Sequence, residues 1–354
     1  MNLVIFKTNA LGDSVVFLPV VQALRRRLPS WQIALVAYPP VRELYAADIS
    51  DDDLLLVPAD EMRTGWRRPA RVARWVRWLR RRRPDAVLLS YDQSTVAHLL
   101  ARLSGAPLRL GAQLDLGWRR GGLTHAVEWD GRSSVADWHW SMACRLVREL
   151  GAGELPLAPP PPDLAHLAGG AARVSGRVVI HPGSKREMTR WPAARYAELA
   201  GQLARAGCEV HWVDVAEAPP SLAPGVRLAR TPTLRELVAL LASASLFVGN
   251  NSGPMHLANA VATPMVVLAG PQPGAWDPAW HRDRVRVLRR PELPCQPCDQ
   301  LARLAPACAN RREPLACLLR WDVDRVRAAC LELLGPAAPA PRADSTAPAN
   351  DGTA

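Results

Sequence analysis

The sequence predicts an α/β protein built from two doubly wound halves that face a central cleft. Three observations predict it: strand-like and helix-like segments alternate through residues 2–103, a proline-rich stretch follows at 155–163, and the alternation restarts at 177. Short connections between alternating strands and helices are typical of parallel sheets with right-handed crossovers. At 354 residues the chain is long enough for two domains with separate cores.

The proline-rich stretch sets the predicted domain boundary. Its sequence, LPLAPPPPD, cannot continue inside a sheet or a helix, so it is the best linker candidate. We predict an N-terminal domain over 1–155 and a C-terminal domain over 156–335, which includes a cysteine-rich segment at 295–317. The final residues, 336–354, are small, polar and rich in proline, which predicts disorder.

The N-terminal half opens with a short apolar strand, NLVIFK, followed by a polar turn that contains glycine. Further along, Val72, Trp75, Val76 and Leu79 recur at helical spacing among arginines. The predicted elements are a strand over 2–7, a helix over 15–29 that ends at proline, a strand over 31–39, a helix over 68–85, a strand over 86–92, and a helix over 94–107.

The C-terminal half repeats this pattern. An apolar run ends in the turn HPGS, and the helical segment after it stops at a glycine. The predicted elements are a strand and turn over 177–184, a helix over 193–207, a strand over 208–215, a helix over 233–244, a strand and turn over 246–253, a helix over 254–262, and a strand over 264–270.

Charge and hydropathy narrow the functional classes. The net charge of +11 comes mostly from arginine, because Lys7 and Lys185 are the two lysines of the chain. Such a surface attracts nucleic acid, anionic lipid or phosphorylated sugars. We find neither a secretory signal nor an apolar stretch of spanning length, and therefore expect a cytoplasmic protein.

Three polar turns follow predicted strands and lead into predicted helices. They are KTNALGDS at 7–14, HPGSKREMTRW at 181–191 and GNNSGPMH at 249–256. Ligands of open parallel sheets bind beyond the carboxyl ends of the strands, and helix N-termini attract anions. The coincidence favours a binding site for an anionic ligand at these turns.

Each turn also has a structural interpretation. Asp13 is suited to capping a helix, or to acting as a general base for an acceptor hydroxyl. The 183–190 loop is a basic exposed loop or a diphosphate site, although it matches neither a Walker loop nor a dinucleotide motif. Ser252 can cap the next helix, and His256 taken alone is more typical of a packed histidine. The surplus of polar groups in 250–253 nevertheless favours a sugar or phosphate ligand.

With these motifs in register, the chain resembles glycosyltransferase family nine, the heptosyltransferases of lipopolysaccharide assembly. The resemblance lies in GDSVVFLPVVQALRRRLP at 12–29, HPGS and RWP within 181–192, and VGNNSGPMHLA with the strand ending in GP within 248–271. It extends from about residue 2 to residue 334.

The resemblance implies the fold called GT-B, in which two Rossmann-like domains face a cleft. It also implies inverting transfer from an ADP-heptose-like donor without a catalytic metal, and it assigns Asp13 as the base. The donor-binding residues that we predict are Gly183, Ser184, Lys185, Arg186, Thr189, Arg190, Glu217, Asn251, Ser252, Gly253 and His256. The acceptor-binding residues that we predict are Gly12, Arg119 and Arg120, the last two being available for acceptor phosphates.

Three positions depart from the pattern of the family. Asn251 stands where relatives usually carry aspartate, and Thr189 replaces a lysine. The strand end before the ribose-binding acidic residue is also altered, which weakens the assignment of Glu217. These departures affect the identity of the donor more than the fold.

Four cysteines form a C-terminal cluster with the spacing C-x2-C-x9-C-x8-C, at Cys295, Cys298, Cys308 and Cys317. Four thiolates with one CxxC step suit a tetrahedral structural zinc or iron site. The resemblance partly supports this, because autotransporter heptosyltransferases hold iron with such cysteines. The alternative is reduced thiols in a loop.

We therefore predict a heptosyltransferase that acts on a lipopolysaccharide core or a related glycan. One alternative is a transferase of the same fold with another nucleotide sugar or a protein acceptor; another is a non-catalytic polyanion-binding protein. The arginine-rich helix over 68–83 either packs on the sheet with its arginines in water or holds the enzyme peripherally against anionic lipid of the inner membrane. No nucleic-acid motif accompanies it.

Overall fold

The computed structural model describes residues 1–91, 94–113, 122–213, 221–301 and 303–335, without the side chains of Arg63 and Trp66. It contains two parallel six-stranded sheets, one in each half of the chain. Numbered in chain order, the strands are arranged β3-β2-β1-β4-β5-β6 in the first sheet and β12-β11-β10-β7-β8-β9 in the second. Both orders reverse direction beside the first strand, which is the doubly wound arrangement that the sequence predicts.

The first sheet lies between two layers of helices. Successive side chains of β1 alternate between them: Leu3 and Ile5 belong to one apolar cluster, Val4 and Phe6 to another. Its strands are β1 Asn2–Lys7, β2 Gln32–Ala37, β3 Leu54–Leu56, β4 Ala86–Leu89, β5 Leu108–Gln113 and β6 His125–Glu128. Its helices are α1 Leu11–Arg27, α2 Arg42–Tyr45, α3 Ala59–Thr64, α4 Pro69–Arg81, α5 Thr95–Leu103 and α6 Val135–Glu149.

The second sheet is built in the same way. In its central strand, Val178 and Ile180 face one apolar cluster and Val179 faces the other. Its strands are β7 Val174–His181, β8 Glu209–Val213, β9 Val226–Ala229, β10 Ala244–Asn250, β11 Met265–Leu268 and β12 Val285–Leu288. Its helices are α7 Ala165–Ala168, α8 Ala193–Arg205, α9 Leu234–Ser243, α10 Gly253–Ala260, α11 Ala316–Leu319 and α12 Val323–Leu334.

The two halves are joined by apolar and polar contacts. One cluster of buried side chains contains residues of α1 and α6 together with residues of α9 and α10. Across the same boundary, the Arg235 backbone N–H donates to Glu43 Oε2 at 3.1 Å, and His166 Nε2 donates to the Glu43 carbonyl at 3.0 Å. The stretch 155–163 contains neither helix nor strand, as expected, and the domain division after residue 155 stays a prediction.

Helix α1 begins at Leu11, four residues before the expected start, and runs past Pro19 to Arg27. No helix among the described residues is long and apolar enough to cross a membrane. The predicted tail at 336–354 lies outside the described residues.

Candidate active site

A cavity of about 1010 Å³ lies where the carboxyl ends of β1, β7 and β10 meet. The N-terminal half contributes the start of α1, and the C-terminal half contributes the turns after β7 and β10. The lining residues are Ala10, Leu11, Gly12, His181, Pro182, Gly183, Ser184, Lys185, Glu187, Arg190, Trp191, Pro192, Ala193, Trp212, Ser252, Gly253, Pro254, Leu315 and Leu319. All three turns singled out in the sequence therefore contribute to one cavity.

The loop after β7 presents Lys185 and Arg190 to the cavity, and its hydroxyl groups bond within the loop. Lys185 is exposed at the cavity, and no described residue pairs with its ammonium group. The hydroxyls of Ser184 and Thr189 lie 2.7 Å apart, and Thr189 also donates to the Arg186 carbonyl at 2.6 Å. Arg190 lines the cavity while its Nε donates to the Ser184 carbonyl at 2.7 Å. The buried Thr189 thus shapes the loop and does not line the cavity.

Arg186, a predicted donor ligand, points away from the cavity. Its Nη1 donates to the carboxylate of Asp299 at 2.6 Å, and its Nη2 donates to the Ala305 carbonyl at 2.7 Å. Asp299 is 1% exposed, so this ion pair fixes the loop to the cysteine-rich segment. In this arrangement Arg186 supports the loop, and Lys185 and Arg190 supply the charge at the cavity.

Asn250 holds the two turns of the C-terminal half together. Its Oδ1 accepts hydrogen bonds from the Trp191 backbone N–H at 2.9 Å and the Tyr196 hydroxyl at 3.0 Å. Its Nδ2 donates to the Pro182 carbonyl at 2.7 Å. The side chain is fully buried, so its polar atoms are committed to the protein. The sequence places polar groups at 250–253 but gives no sign of this connecting role.

Asn251 belongs to a second polar network, which the sequence analysis missed. Its Nδ2 donates to Asp277 Oδ1 at 3.0 Å, and Arg289 donates to the same oxygen at 2.7 Å. Burial raises the pKa of Asp277, while Arg289 and then Asn251 act in the opposite direction. The Gln272 side-chain amide donates to the Asn251 carbonyl at 3.0 Å and so also fixes the backbone of the turn.

The start of α10 is open towards the cavity. Ser252 occupies the N-cap position, but its hydroxyl makes no cap hydrogen bond and is buried without a partner among the described residues. Pro254 lies in the first turn, as expected. A helix N-terminus with an uncommitted hydroxyl beside it offers hydrogen bonds and partial positive charge to an anion. The capping interpretation of Ser252 is therefore wrong for its side chain.

Gly12 and Gly253 bring the two halves into direct contact. A Cβ added at Gly12 would lie 2.8 Å from His256 Cδ2 and 3.3 Å from Gly253 Cα. A Cβ added at Gly253 would lie 3.3 Å from the Gly12 nitrogen. His256 is buried behind this contact, and burial lowers its pKa to about 4. It packs as a neutral side chain and does not line the cavity.

Asp13 lies beside this contact, in the first turn of α1. The N-cap of the helix is Ala10, so Asp13 does not cap it. Its Oδ1 accepts a hydrogen bond from the Tyr91 hydroxyl at 2.6 Å, and the Asp13 side chain is half-buried. The ammonium of Lys7, itself fully buried, lies 5.0 Å from the centroid of the Tyr91 ring. Asp13 thus directly follows Leu11 and Gly12, which line the cavity, without lining it itself.

Three predicted site residues, Glu217, Arg119 and Arg120, lie outside the described residues.

The four clustered cysteines lie near one another. Burial, and next the neighbouring thiols of Cys298, Cys308 and Cys295, raise the pKa of Cys317 to about 11. The Leu315 backbone N–H donates to Cys308 Sγ at 3.2 Å. Within the described chain, no group of three or more His, Cys, Asp or Glu side chains is arranged to hold a metal ion.

Comparison with known proteins identifies the family. A profile described as glycosyltransferase family 9 (heptosyltransferase) matches residues 72–305, which is most of the chain. The chain belongs to glycosyltransferase family 9. It is therefore a glycosyltransferase of the heptosyltransferase type, from the family of lipopolysaccharide core biosynthesis, as the three turns led us to expect.

Individual relatives agree with this family. Lipopolysaccharide heptosyltransferase 3 of Escherichia coli is 25% identical over 285 residues, which cover 73% of this chain and 80% of that protein. The solved structure of E. coli ADP-heptose lps heptosyltransferase II has a TM-score of 0.68 at 20% identity and covers 94% of this chain and 98% of its own. The iron-containing dodecameric glycosyltransferase TibC of enterotoxigenic E. coli has a TM-score of 0.57 at 17% identity, covering 94% and 76%. The likeness to these solved glycosyltransferases confirms the predicted GT-B fold.

Proposed function

We propose that this family 9 enzyme transfers heptose, with inversion, from ADP-heptose to a lipopolysaccharide core or a related glycan. The observation that carries the proposal is the contact between α1 and α10 beside the cavity. Gly12, which directly precedes Asp13 in the chain, meets Gly253 at the start of α10, and this supports an Asp13 carboxylate that acts beside the N-terminus of that helix. A base for the acceptor and a site for the leaving group thus adjoin one another.

The cavity offers two chemically different ends for a nucleotide diphosphate. Lys185, Arg190 and the uncommitted hydroxyl of Ser252 provide positive charge and a hydrogen-bond donor for phosphate oxygens. Leu315 and Leu319 provide apolar surface suited to a nucleobase. The E. coli relative named as an ADP-heptose transferase supports adenine as that base.

In the proposed reaction, the acceptor hydroxyl oxygen bonds to the anomeric carbon while its proton passes to the Asp13 carboxylate. The bond between that carbon and the diphosphate oxygen breaks, and ADP leaves with the electron pair. Lys185 and the N–H groups at the start of α10 stabilise the charge that grows on the diphosphate. A single displacement from the opposite face inverts the configuration at the anomeric carbon. The acceptor roles of Gly12, Arg119 and Arg120 stay predictions.

Asp13→Asn tests the base. The amide keeps the shape of the side chain but cannot take the proton, so we expect kcat to fall roughly 10²- to 10⁴-fold. The Kd for ADP, measured by calorimetry, should stay within about threefold of wild type, because Asp13 does not line the cavity. Transfer at the wild-type rate by Asp13→Asn would refute the assignment.

Nucleotide binding separates the donor alternatives. Titration with ADP, UDP and GDP should give the tightest binding for ADP. Preference for another nucleotide would favour a transferase with a different sugar donor. Binding of polyanions without turnover of any nucleotide sugar would favour the non-catalytic alternative. Assays with a glycan and with a protein acceptor then separate the two acceptor classes.

The structural metal at Cys295, Cys298, Cys308 and Cys317 stays a proposal that rests on their spacing. The arrangement of the described thiols does not fit an ion, and the reaction above uses none. Elemental analysis of protein purified without chelators should give about one zinc or iron per chain if the thiols close around a metal. A metal content near zero would leave them as reduced thiols.

We also propose that α4 supports peripheral contact with the cytoplasmic leaflet of the inner membrane. A groove of about 600 Å³ on this helix is lined by Ala73, Val76 and the arginines 77, 80, 81 and 83. Arg77 and Arg81 are exposed, one turn apart, and have no ion-pair partner among the described residues. Exposed arginines beside apolar surface suit anionic headgroups.

Vesicle sedimentation tests this surface. The enzyme should sediment with phosphatidylglycerol vesicles and less with phosphatidylcholine vesicles, and Arg77→Glu/Arg81→Glu should weaken the first interaction. Arg132→Glu/Arg205→Glu makes the same charge change at exposed positions elsewhere. Equal loss in both double variants would indicate attraction by net charge alone and reject a role for α4.

A further inference from the structure

The Tyr91 side chain lies between the carboxylate of Asp13 and the opposite half of the molecule. Its hydroxyl donates to Asp13 Oδ1 at 2.6 Å. Its ring contacts that of Trp276, with centroids 5.6 Å apart and an interplanar angle of 62°. Trp276 ends a short 3₁₀ turn, Gly274–Trp276, in the C-terminal half. One aromatic side chain thus contacts the proposed base and reaches across the cleft.

Trp276 is connected to the donor side of the cavity through its neighbour in the chain. Asp277 accepts hydrogen bonds from Asn251 at 3.0 Å and Arg289 at 2.7 Å. Asn251 directly precedes Ser252, which lines the cavity and whose buried hydroxyl has no partner among the described residues. A continuous series of contacts therefore runs from the donor turn to the base. It crosses between the halves at the ring pair of Tyr91 and Trp276.

We propose that Tyr91 and Trp276 are positioning residues, which orient the Asp13 carboxylate for proton transfer when the donor turn and the N-terminal half are in contact. The proposal rests on the assignment of Asp13 as base. The Tyr91 hydrogen bond restricts rotation of the carboxylate and stabilises its ionised form. Trp276 supports the Tyr91 ring from the opposite half. A donor that orders the Asn251 turn therefore also favours the productive orientation of the base.

The surroundings of Tyr91 make it a well-supported side chain. On one side, Lys7 Nζ lies 5.0 Å from its ring centroid, a distance suited to a cation–π contact. On another, the His139 ring lies 5.6 Å away. Burial, and next the charge of Lys7, lower the pKa of His139, so this histidine is neutral near pH 7. The ring therefore has few orientations, and its hydroxyl points at the carboxylate.

Other titratable groups also face this carboxylate. Burial, only partly offset by a hydrogen bond to the Ser14 carbonyl, raises the pKa of Tyr45, with the charge of Asp13 as a smaller cause. From the C-terminal half, His256 lies behind Gly12, and burial lowers its pKa to about 4. Near neutral pH, Tyr45 and His256 are therefore uncharged.

The test compares Tyr91→Phe, Trp276→Ala and the conservative Trp276→Phe. We expect Tyr91→Phe and Trp276→Ala to lower kcat roughly 10- to 100-fold, because small displacements of a reacting group cost about this much. The KM for donor and the Kd for ADP should stay within about threefold of wild type, since neither residue lines the cavity. Trp276→Phe should restore most of the rate.

The pH–rate profile supplies a readout that a merely structural role would not move. The acid limb should shift to higher pH in Tyr91→Phe by about one unit. The Tyr91 hydroxyl stabilises the ionised carboxylate, so its removal raises the pKa of that group. In a double-mutant cycle, Tyr91→Phe/Trp276→Ala should lose little more than either single variant, since both act through the same carboxylate. Independent, multiplying losses would contradict the proposed series of contacts.

Two controls keep this test separate from the assignment of the base. Trp78→Ala removes a half-buried tryptophan on the opposite face of the first sheet and should leave kcat unchanged with a soluble acceptor. Asp13→Asn tests the base itself: an active Asp13→Asn enzyme refutes the proposed function whatever the other variants do. If Asp13→Asn is inactive and Tyr91→Phe has the wild-type kcat and acid limb, the positioning role is wrong and the base stands.

Discussion

The contact between the two halves leaves no space for a side chain at Gly12. A methyl group there would overlap the His256 ring at 2.8 Å, so either that ring or the two helix starts must shift. We expect Gly12→Ala to lower kcat by at least roughly tenfold and stability by about 1–3 kcal/mol, the usual cost of overpacking. Steady-state kinetics and urea denaturation measure the two effects. If the clash with His256 causes these losses, adding His256→Ala to Gly12→Ala should restore part of the kcat and part of the stability. Losses that simply add in the double variant would exclude the clash as their cause.

Two adjacent cations in the loop after β7 should behave differently. Lys185→Ala removes the exposed ammonium at the cavity and should raise the Kd for ADP roughly 10-fold, with little change in the unfolding free energy. Arg186→Ala leaves the buried Asp299 carboxylate without its guanidinium partner and should cost roughly 2–4 kcal/mol of stability. Calorimetric titration and urea denaturation of both variants test this. The reverse pattern would return Arg186 to the donor site.

Two histidines, the buried His256 and the half-buried His181, make stability depend on pH. Removal from solvent lowers the pKa of both from 6.5 to about 4. Between these values the unfolded chain binds more protons, so the unfolding free energy should fall as pH drops from about 6.5 to about 4, by about 3 kcal/mol for His256 and by less for His181, which borders the cavity. His256→Leu removes one of these groups and should flatten the curve. Urea titrations across this range measure the slope, and an unchanged slope in His256→Leu would show that His256 does not contribute.

Prediction from sequence was least complete at the scale of single residues. The motifs brought Gly12, Lys185, Arg190 and Ser252 to one cavity, because each lies in a turn after a strand. Asp277 and Tyr91 lie in no motif. Their roles arise from contacts with residues 26 and 78 positions away, which spacing along the chain does not reveal.

Among the elements, β10, α8 and the loop after β7 depend on the side chain of Asn250. Asn250→Ala leaves the buried partners of three hydrogen bonds unsatisfied and should cost about 3 kcal/mol. Tyr196→Phe removes one of these bonds with little change in shape and should cost about 1 kcal/mol. Urea denaturation of the two variants measures both losses. Equal losses would show that the other two bonds contribute nothing.

Elements with a strong repeating pattern were predicted within a few residues. Helix α4, expected over 68–85, runs from Pro69 to Arg81, and α8 ends at Arg205 before its glycine. Strand β6 and helix α6 were not predicted from the sequence. The four residues of β6 at the sheet edge are all partly exposed, so the strand lacks a buried apolar run. Helix α6 carries a Ser134–Asp137 capping box, which was available in the sequence and was not used.

At the scale of the whole molecule, the two sheets share one apolar cluster. Side chains of α1 and α6 pack in the same cluster as side chains of α9 and α10. We therefore expect a single cooperative unfolding transition in calorimetry, and a higher Tm with saturating ADP. Two resolved transitions would show that the halves unfold independently. The doubly wound architecture followed from strand–helix alternation, whereas the extent of this shared core depends on packing that alternation does not encode.

The glycine-to-glycine contact has a mechanical consequence. If the halves rotate about the point where Gly12 meets Gly253, that point acts as a fulcrum next to the reactive groups. Atoms close to the axis of such a rotation move little, whereas atoms at the rim of the cleft, far from the axis, move much further. Such a rotation would open the entrance widely for the proposed substrates, yet carry Asp13 only a small distance from the start of α10.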